Sequence, residues 1–423
     1  MSTVEPGLLG QLFRRSYSKY LAILLKLFGA EHLELLEDAL QDAFAQATHA
    51  WRTNSPDNPE AWLNTVAKRR AIDLLRQHDA LEQRHLRHAS SATLEHFVDE
   101  SFRDSAIADA ELRVVFTACH PALKPQDQLA FALRCVAGFS GPEIATALLL
   151  ERETVKKRLT RARAAIRRAS LAFEVPGGHE LSERLPRVLE VIYLIFNEGF
   201  HSASRERVVR EELCGEAMRM CQLLLDAESM RPHVATLSAL AALMCFHAAR
   251  LHTKVDRHGQ LIDLTKQDRS AWDIRLIYRA NELMQTAVTA AEFSAYHYEA
   301  AIASEHLRAS TFESTNWTQI AVWYERLRAI APSPMTDLSL AIVYIHNGNP
   351  VKSAELLGRL PPRALADRGY LLYGAWAEWH KRFGTLADTR AALQKAIGVV
   401  VNRSEKDYLQ AKLDRLTERM NSA

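Results

Sequence analysis

Cysteine is scarce and unpatterned: five residues in 423 (Cys119, Cys135, Cys214, Cys221 and Cys245), with no C-x-x-C pair among them. An odd count without paired spacing excludes a disulfide framework and a cysteine-held zinc site, and leaves the five as buried small hydrophobes. Glycine (16) and proline (14) are also few, and alternating β-branched runs are nearly absent, so strands are not expected. The longest apolar stretches, read at Leu21 to Phe28 and Val188 to Phe196, fall short of the roughly 20 residues a bilayer requires, so no membrane crossing is expected. Met1 to Gln11 lacks a basic segment followed by an apolar one and a cleavage site, which gives a cytoplasmic expectation. No Gly-rich phosphate loop, H-E-x-x-H or Ser-His-Asp grouping occurs, so neither catalysis nor a cofactor is expected. Cys119 beside His120, and His85 with His88, do not make a metal site. Neighbours in sequence point apart on a helix, and two imidazoles do not close a tetrahedron.

What is present is helix. Leu and Ala recur at three- and four-residue spacing throughout, which predicts an all-α fold. Leu36, Leu40, Ala43 and Ala47 define one stripe; Ser55, Pro56, Asp57 and Asn58 interrupt it, and Asn58 with Pro59 reads as the cap and first turn of the next helix. Residues 79–110 are polar and weakly periodic, as in a linker. A further helical cluster over 111–175 ends at Val175-Pro176-Gly177-Gly178, a break between domains. The remainder, 179–423, is helical. Shifting 315–420 by about 34 residues lays Leu338 on Leu372, Ala341 on Ala375 and His346 on His380, which is the tetratricopeptide period, about 34 residues.

Net charge is only +2, but it is uneven: residues 111–170 hold 11 Lys or Arg against 5 Asp or Glu, while 171–423 hold 30 of each. A compact basic segment in a neutral chain is the footprint of a module that meets phosphate backbone. Within it, Ser140-Gly141-Pro142-Glu143 is a capping box that starts a helix bearing Ile144, Ala145 and Leu148. After a tight turn, a second helix places Val155, Leu159, Ala162 and Ile166 on one side and Lys156, Lys157, Arg158, Arg161, Arg163, Arg167 and Arg168 on the other. That is a helix-turn-helix, in which the N-terminal residues of the second helix enter the major groove. Arg152, Glu153, Thr154, Lys157 and Arg158 are thus the candidates to read bases, and Arg161 and Arg163 to bind phosphate.

The helix opened by Asn58 turns Trp62, Leu63, Val66, Ala67, Ala71 and Leu74 inward and leaves Thr65, Lys68, Arg69 and Arg76 together outside. The preceding helix carries Glu37, Asp38, Gln41 and Asp42 as an acidic outer face beside Phe44. Opposed acidic and basic faces suit a domain that touches a protein on one side and DNA on the other.

The strings Leu36-Glu37-Asp38-Ala39-Leu40-Gln41-Asp42-Ala43-Phe44 and Ala61-Trp62-Leu63-Asn64-Thr65-Val66-Ala67-Lys68-Arg69-Arg70-Ala71-Ile72-Asp73-Leu74-Leu75-Arg76 closely resemble the second region of extracytoplasmic-function sigma factors. Thr154-Val155-Lys156, Arg158-Leu159 and Arg161-Ala162-Arg163 resemble the fourth. Three further stretches resemble the subgroup with a long, tetratricopeptide-like helical extension: Leu112 to Leu123, Phe196-Asn197-Glu198-Gly199-Phe200, and Gln267-Asp268-Arg269-Ser270-Ala271-Trp272-Asp273. Glu151 and Lys157 depart from the small polar residues usual there, and Ser294 to Ala303 keeps only part of the pattern.

The resemblance implies an alternative sigma factor with region 2 at 1–78, a linker at 79–110, region 4 at 111–175 and an extension at 179–423. It implies that Asp38, Gln41, Asp42 and Phe44 dock on the polymerase β′ coiled coil, and that region 4 meets the β flap. Arg52, Asn54, Ser55, Asn58, Asn64, Lys68, Arg69 and Arg76 would serve the −10 element, with the 52–58 loop capturing an extruded base. Arg152, Glu153, Thr154, Lys156, Lys157, Arg158, Arg161 and Arg163 would serve the −35 element. A protein or peptide partner is expected on the extension. There, Asn197, Glu198, Gln267, Asp268, Arg269 and Trp272 either line a ligand pocket or form a structural polar network. A conventional helix-turn-helix regulator with a sensing stack is the alternative; it leaves the acidic face and the 52–76 segment without a purpose. A purely structural scaffold leaves the basic helix unexplained.

Overall fold

The computed structural model describes all residues except 1–5, 52–55, 57, 83–103, 149, 170, 172, 201–208, 257–261, 401–402 and 422–423. Among the described residues there are eighteen α-helices and no strand. They form two compact units, Met1–Ile195 and Phe196–Ala423.

In the first unit, α1 (Pro6–Phe28), α2 (Leu33–Ala50) and α3 (Pro59–Glu82) pack on one another, and α1 packs on α4 (Asp104–Ala118). The apolar stripe on α2 is buried: Leu36, Leu40, Ala43 and Ala47 are enclosed, as are Tyr17, Leu21 and Leu24 of α1 and Leu63 and Ala67 of α3. Asn58 caps α3, its Oδ1 accepting from the Ala61 amide at 3.0 Å. α5 (Pro125–Cys135), α6 (Gly141–Ala147) and α7 (Arg152–Arg168) complete the unit. α8 (Gly178–Phe200) starts just after the Pro176-Gly177 break, and its residues up to Ile195 belong to the same body. Arg184 Nη2 donates to the Phe116 carbonyl at 2.7 Å, and Arg187 Nε reaches Gln128 Oε1 at 2.5 Å.

The second unit is built around α10 (Val234–Ala248), flanked by α9 (Glu211–Asp226), α11 (Ile274–Ala287) and α12 (Ala295–Arg308). Residues 228–253 are long and apolar enough for a membrane span, a stretch that the sequence reading passed over. Most of it is enclosed by the unit, as befits a helix apolar on every side. At the start of α12 the Ser294 amide donates to His297 Nδ1 at 3.0 Å, and His297 Nε2 lies 3.1 Å from the Ala287 carbonyl.

Beyond α12, antiparallel pairs follow: α13 (Trp317–Ile330) with α14 (Pro334–His346), α14 with α15 (Pro350–Arg359), and α16 (Tyr370–Phe383) with α17 (Leu386–Val399). Leu338, Ala341, Leu372 and Ala375, aligned by the 34-residue shift, are all buried in one core. Gly348 turns the α14–α15 corner at φ 72°, where a side chain would be strained. α18 (Arg403–Asn421) is fastened by Lys412 Nζ, 3.3 Å from Asp263 Oδ2 and 3.4 Å from Glu378 Oε1, and by the Tyr408 hydroxyl, which donates to Asp263. All five cysteines are free and buried.

Candidate nucleic-acid interface

The helix-turn-helix forms as its capping box dictates. Ser140 Oγ accepts from the Glu143 amide at 3.4 Å while Glu143 Oε2 takes the Ser140 amide at 2.8 Å. Val155, Leu159, Ala162 and Ile166 then seat α7. Arg152, Glu153, Lys156 and Lys157 stand exposed in its first turns, and Thr154 and Arg158 are half-buried. Arg158 Nη1 donates to the Gln126 carbonyl at 3.2 Å. Arg161 grips the buried Asp127 carboxylate with Nη2 at 2.7 Å and Nε at 3.1 Å, so it also braces α7 on the start of α5.

Arg163 points elsewhere. Its Nε and Nη2 lie 2.9 and 2.6 Å from Glu37 Oε2, and Arg134 Nε and the Tyr17 hydroxyl donate to Glu37 Oε1 at 2.9 and 3.0 Å. Glu37 is 2 % exposed. A buried carboxylate is tolerable only when its lone pairs are met, and here two guanidinium groups and a phenol meet both oxygens. The Tyr17 phenol is pushed far up, by burial first and by Glu37 next. The sequence reading placed Glu37 and Phe44 on an exposed face, and both are buried instead. The 3.6-residue period explains it, since Glu37 falls between Leu33, Leu36 and Leu40 on the inward stripe and Phe44 continues that stripe four residues after Leu40.

Asp38, Gln41 and Asp42 do stay exposed. Burial, then the charges of Glu37 and Asp42, raise the Asp38 carboxyl above its ordinary range. Asp42 lies 3.8 Å from Arg70. An open cleft of about 410 Å³ runs from Gln41 past Arg134, Ser140 and Pro142 to Arg152, Lys156 and Arg163. On α3, Asn58 and Arg69 are exposed, and Asn64 and Lys68 half-buried. Arg76 lies in the last turns of α3. Arg52, Asn54 and Ser55, with His85 and His88, lie outside the described residues.

Two family models match this unit, sigma-70 region 2 over residues 12–80 and sigma-70 region 4 over residues 113–166. The chain belongs to the sigma-70 family. It is a sigma factor of the extracytoplasmic-function type with a long C-terminal extension, and its domains are those of a transcription factor that works with core RNA polymerase and promoter DNA. A family of unknown function (DUF6596) matches residues 184–288 of the extension. The "Uncharacterized protein R00370" of Rhizobium meliloti (strain 1021) is 32% identical over 396 residues, covering 91% of this chain and 90% of that one. The "ECF RNA polymerase sigma factor SigK" of Mycobacterium ulcerans (strain Agy99) is 29% identical over 136 residues, 31% of this chain and 70% of that protein. No solved structure matches.

Arg134 is the residue of this sigma factor that motif reading missed. Its local signal is weak, a single cation at the end of an apolar helix, and its partner Glu37 is 97 positions away.

Proposed function

We propose that this sigma factor docks on the polymerase β′ coiled coil through Asp38, Gln41 and Asp42, reads the −35 element with the first turns of α7, and uses α3 with the 52–58 loop at the −10 element. The observation that carries the reading is the exposed cationic opening of α7, held out by Ser140–Glu143 capping and by Arg161 on Asp127. Region 4 meets the β flap, and the whole acts in the cytoplasm, where the polymerase is. The extension regulates or completes the module in cis, with a protein or peptide as partner. Reconstituted holoenzyme on promoter templates tests this. Asp38→Lys with Asp42→Lys is expected to abolish polymerase co-purification while circular dichroism stays native; retained binding removes the acidic face from the interface. Arg158→Ala is expected to cost about 1–3 kcal/mol at one base pair, whereas Lys156→Ala, at an exposed cation of the same helix, weakens all sequences alike; Arg163, spent on Glu37, is not a free phosphate contact. Sequence-blind losses from both remove Arg158 from base reading. Truncation after Ile195, which keeps the α8 contacts of Arg184 and Arg187, is expected to change transcription strongly; unchanged activity and response make the extension a passenger.

A further inference from the structure

Two motifs that promoter recognition leaves unused, Phe196 to Phe200 and Gln267 to Asp273, each carry a residue into one basic cluster of the second unit. Phe200 ends α8, and three basic side chains gather on its ring. Lys254 Nζ lies 3.5 Å from the ring centroid, the Arg250 guanidinium carbon 5.4 Å, and the His247 ring centroid 4.8 Å. Lys254 also donates to the Phe200 carbonyl. Gly199 lets this corner form: a Cβ there would meet Cys214 Sγ at 2.7 Å and the Arg210 carbonyl at 2.8 Å. From the second motif, Arg269 lies 4.8 Å over Trp272 and donates through Nη1 to the His306 and Ala309 carbonyls at 2.6 and 2.7 Å. The two halves are joined by contact, the Asp273 amide donating to the Ala249 carbonyl at 2.8 Å and Trp272 Nε1 to Thr253 Oγ1 at 3.0 Å. Burial first, then Arg250 and Arg269, hold the His306 imidazole down to about 3, and burial with Arg250 brings Lys254 down to about 7.

Like charges gathered in a low-dielectric place repel, and a folded chain ordinarily answers them with a carboxylate. Here none answers by contact: among the described residues Arg250, Lys254 and Arg269 make no ion pair, and Arg250 donates no hydrogen bond. Arg250 Nε, Arg269 Nη2, His247 Nδ1 and His306 Nδ1 are enclosed without a partner. Each such atom has given up water without a replacement and so weighs against the fold. The four residues are nevertheless only half-buried, so the cluster borders the surface. The face of Phe200 holds the Arg250 guanidinium in place without consuming its N–H groups.

We infer that this cluster binds a small phosphoryl-bearing anion. Two guanidinium forks and an ammonium match a group with several acceptor oxygens and more than one negative charge, and the imidazoles add directional hydrogen bonds. The inference stands apart from promoter recognition, because it concerns side chains of the second unit only.

Thermal unfolding of the full chain, titrated with inorganic phosphate, pyrophosphate, succinate and, at matched ionic strength, sodium chloride, tests it. Phosphate or pyrophosphate is expected to raise the midpoint saturably where chloride does not. Arg250→Met is expected to unfold no earlier than wild type without phosphate, since it removes an unpaired charge, and to need about ten- to hundredfold more anion, the size of hydrogen bonds lost to a charged group. Arg250→Lys, which keeps charge and stem but not the fork, carries the test if Arg250→Met does not fold, and is expected to weaken the response likewise. An undiminished response in both variants overturns the site. So does a response that vanishes in Arg152→Ala with Lys156→Ala, which puts the anion on α7, and so does an Arg250-dependent response to succinate alone. An Arg250→Met chain that unfolds well before wild type in phosphate-free buffer gives the guanidinium a purely structural role and also overturns it.

Discussion

In the first unit the enclosed charge of Glu37 is met on both oxygens by Arg134, Arg163 and Tyr17, and Asp127 is met twice by Arg161. In the second unit Arg250 and Lys254 crowd one phenyl ring with no carboxylate in contact among the described residues. Paired buried charge fixes an arrangement, because breaking one member strands the others. Unpaired charge in a partly enclosed place is a standing cost, and the proposed anion would offset it. Arginine count alone, similar along the chain, does not separate the two cases; the distance to the nearest carboxylate does.

The contrast breaks most visibly at Glu37. Glu37→Ala leaves two guanidinium groups and a phenol without their acceptor and is expected to cost about 3–5 kcal/mol, read as an earlier denaturant midpoint of the first unit. At Lys254 the opposite sign is expected. Its folded value, about 7, lies below that of a free lysine, so the folded chain sheds the proton first and stability rises as pH climbs from about 7 toward 10. Between pH 7 and 9 the gain is about 2 kcal/mol, and Lys254→Met is expected to flatten it.

Asp263 is a paired charge of the second unit, held by Tyr408 and Lys412. Burial alone pushes its carboxyl up, but the Tyr408 hydrogen bond and the Lys412 charge outweigh that and hold it down to about 2. Its contribution is therefore full above the ordinary carboxylate range and lost as pH falls from about 4 to 2, and Asp263→Asn is expected to remove roughly 2 kcal/mol at neutral pH. The smallest effect is expected at Ser140→Ala, about 1 kcal/mol for one lost cap, seen as looser amide protection over α6.

Helices and caps were legible because their causes lie within four residues. The α2 stripe at Leu36, Leu40, Ala43 and Ala47 is buried, and Ser140 with Glu143 forms the box that its spacing requires. Glu37 was not legible, since what buries it comes from Arg134 and Arg163, 97 and 126 positions away. A carboxylate beside Asp38 and Asp42 reads as solvated until those partners are placed. The basic cluster was half legible: Phe200, Arg269 and Trp272 stand in motifs, but Arg250 and Lys254 belong to none, so their convergence needed the fold. The apolar stretch containing α10 was passed over because polar residues such as Ser238 punctuate it, and the surrounding helices enclose Ser238 with the rest.

The imidazole at the head of α12 settles a question of tautomerism. An amide hydrogen from Ser294 needs a lone pair on Nδ1, and the Ala287 carbonyl needs a hydrogen on Nε2, so the ring is neutral and protonated at Nε2 alone. Glutamate in the same capping place would tolerate acid down to the carboxylate range, whereas this ring lets go once Nδ1 takes up a proton. Burial holds its pKa below the ordinary histidine range, so the stability it lends is complete above about 6.5, the free-imidazole value, and is lost as pH falls from there toward the lower value of the folded ring, where the fastening itself opens. Nitrogen chemical shifts of the ring would then report the opening of one helix end, a local proton-coupled event that the Ser140–Glu143 box, closed by a carboxylate, does not share.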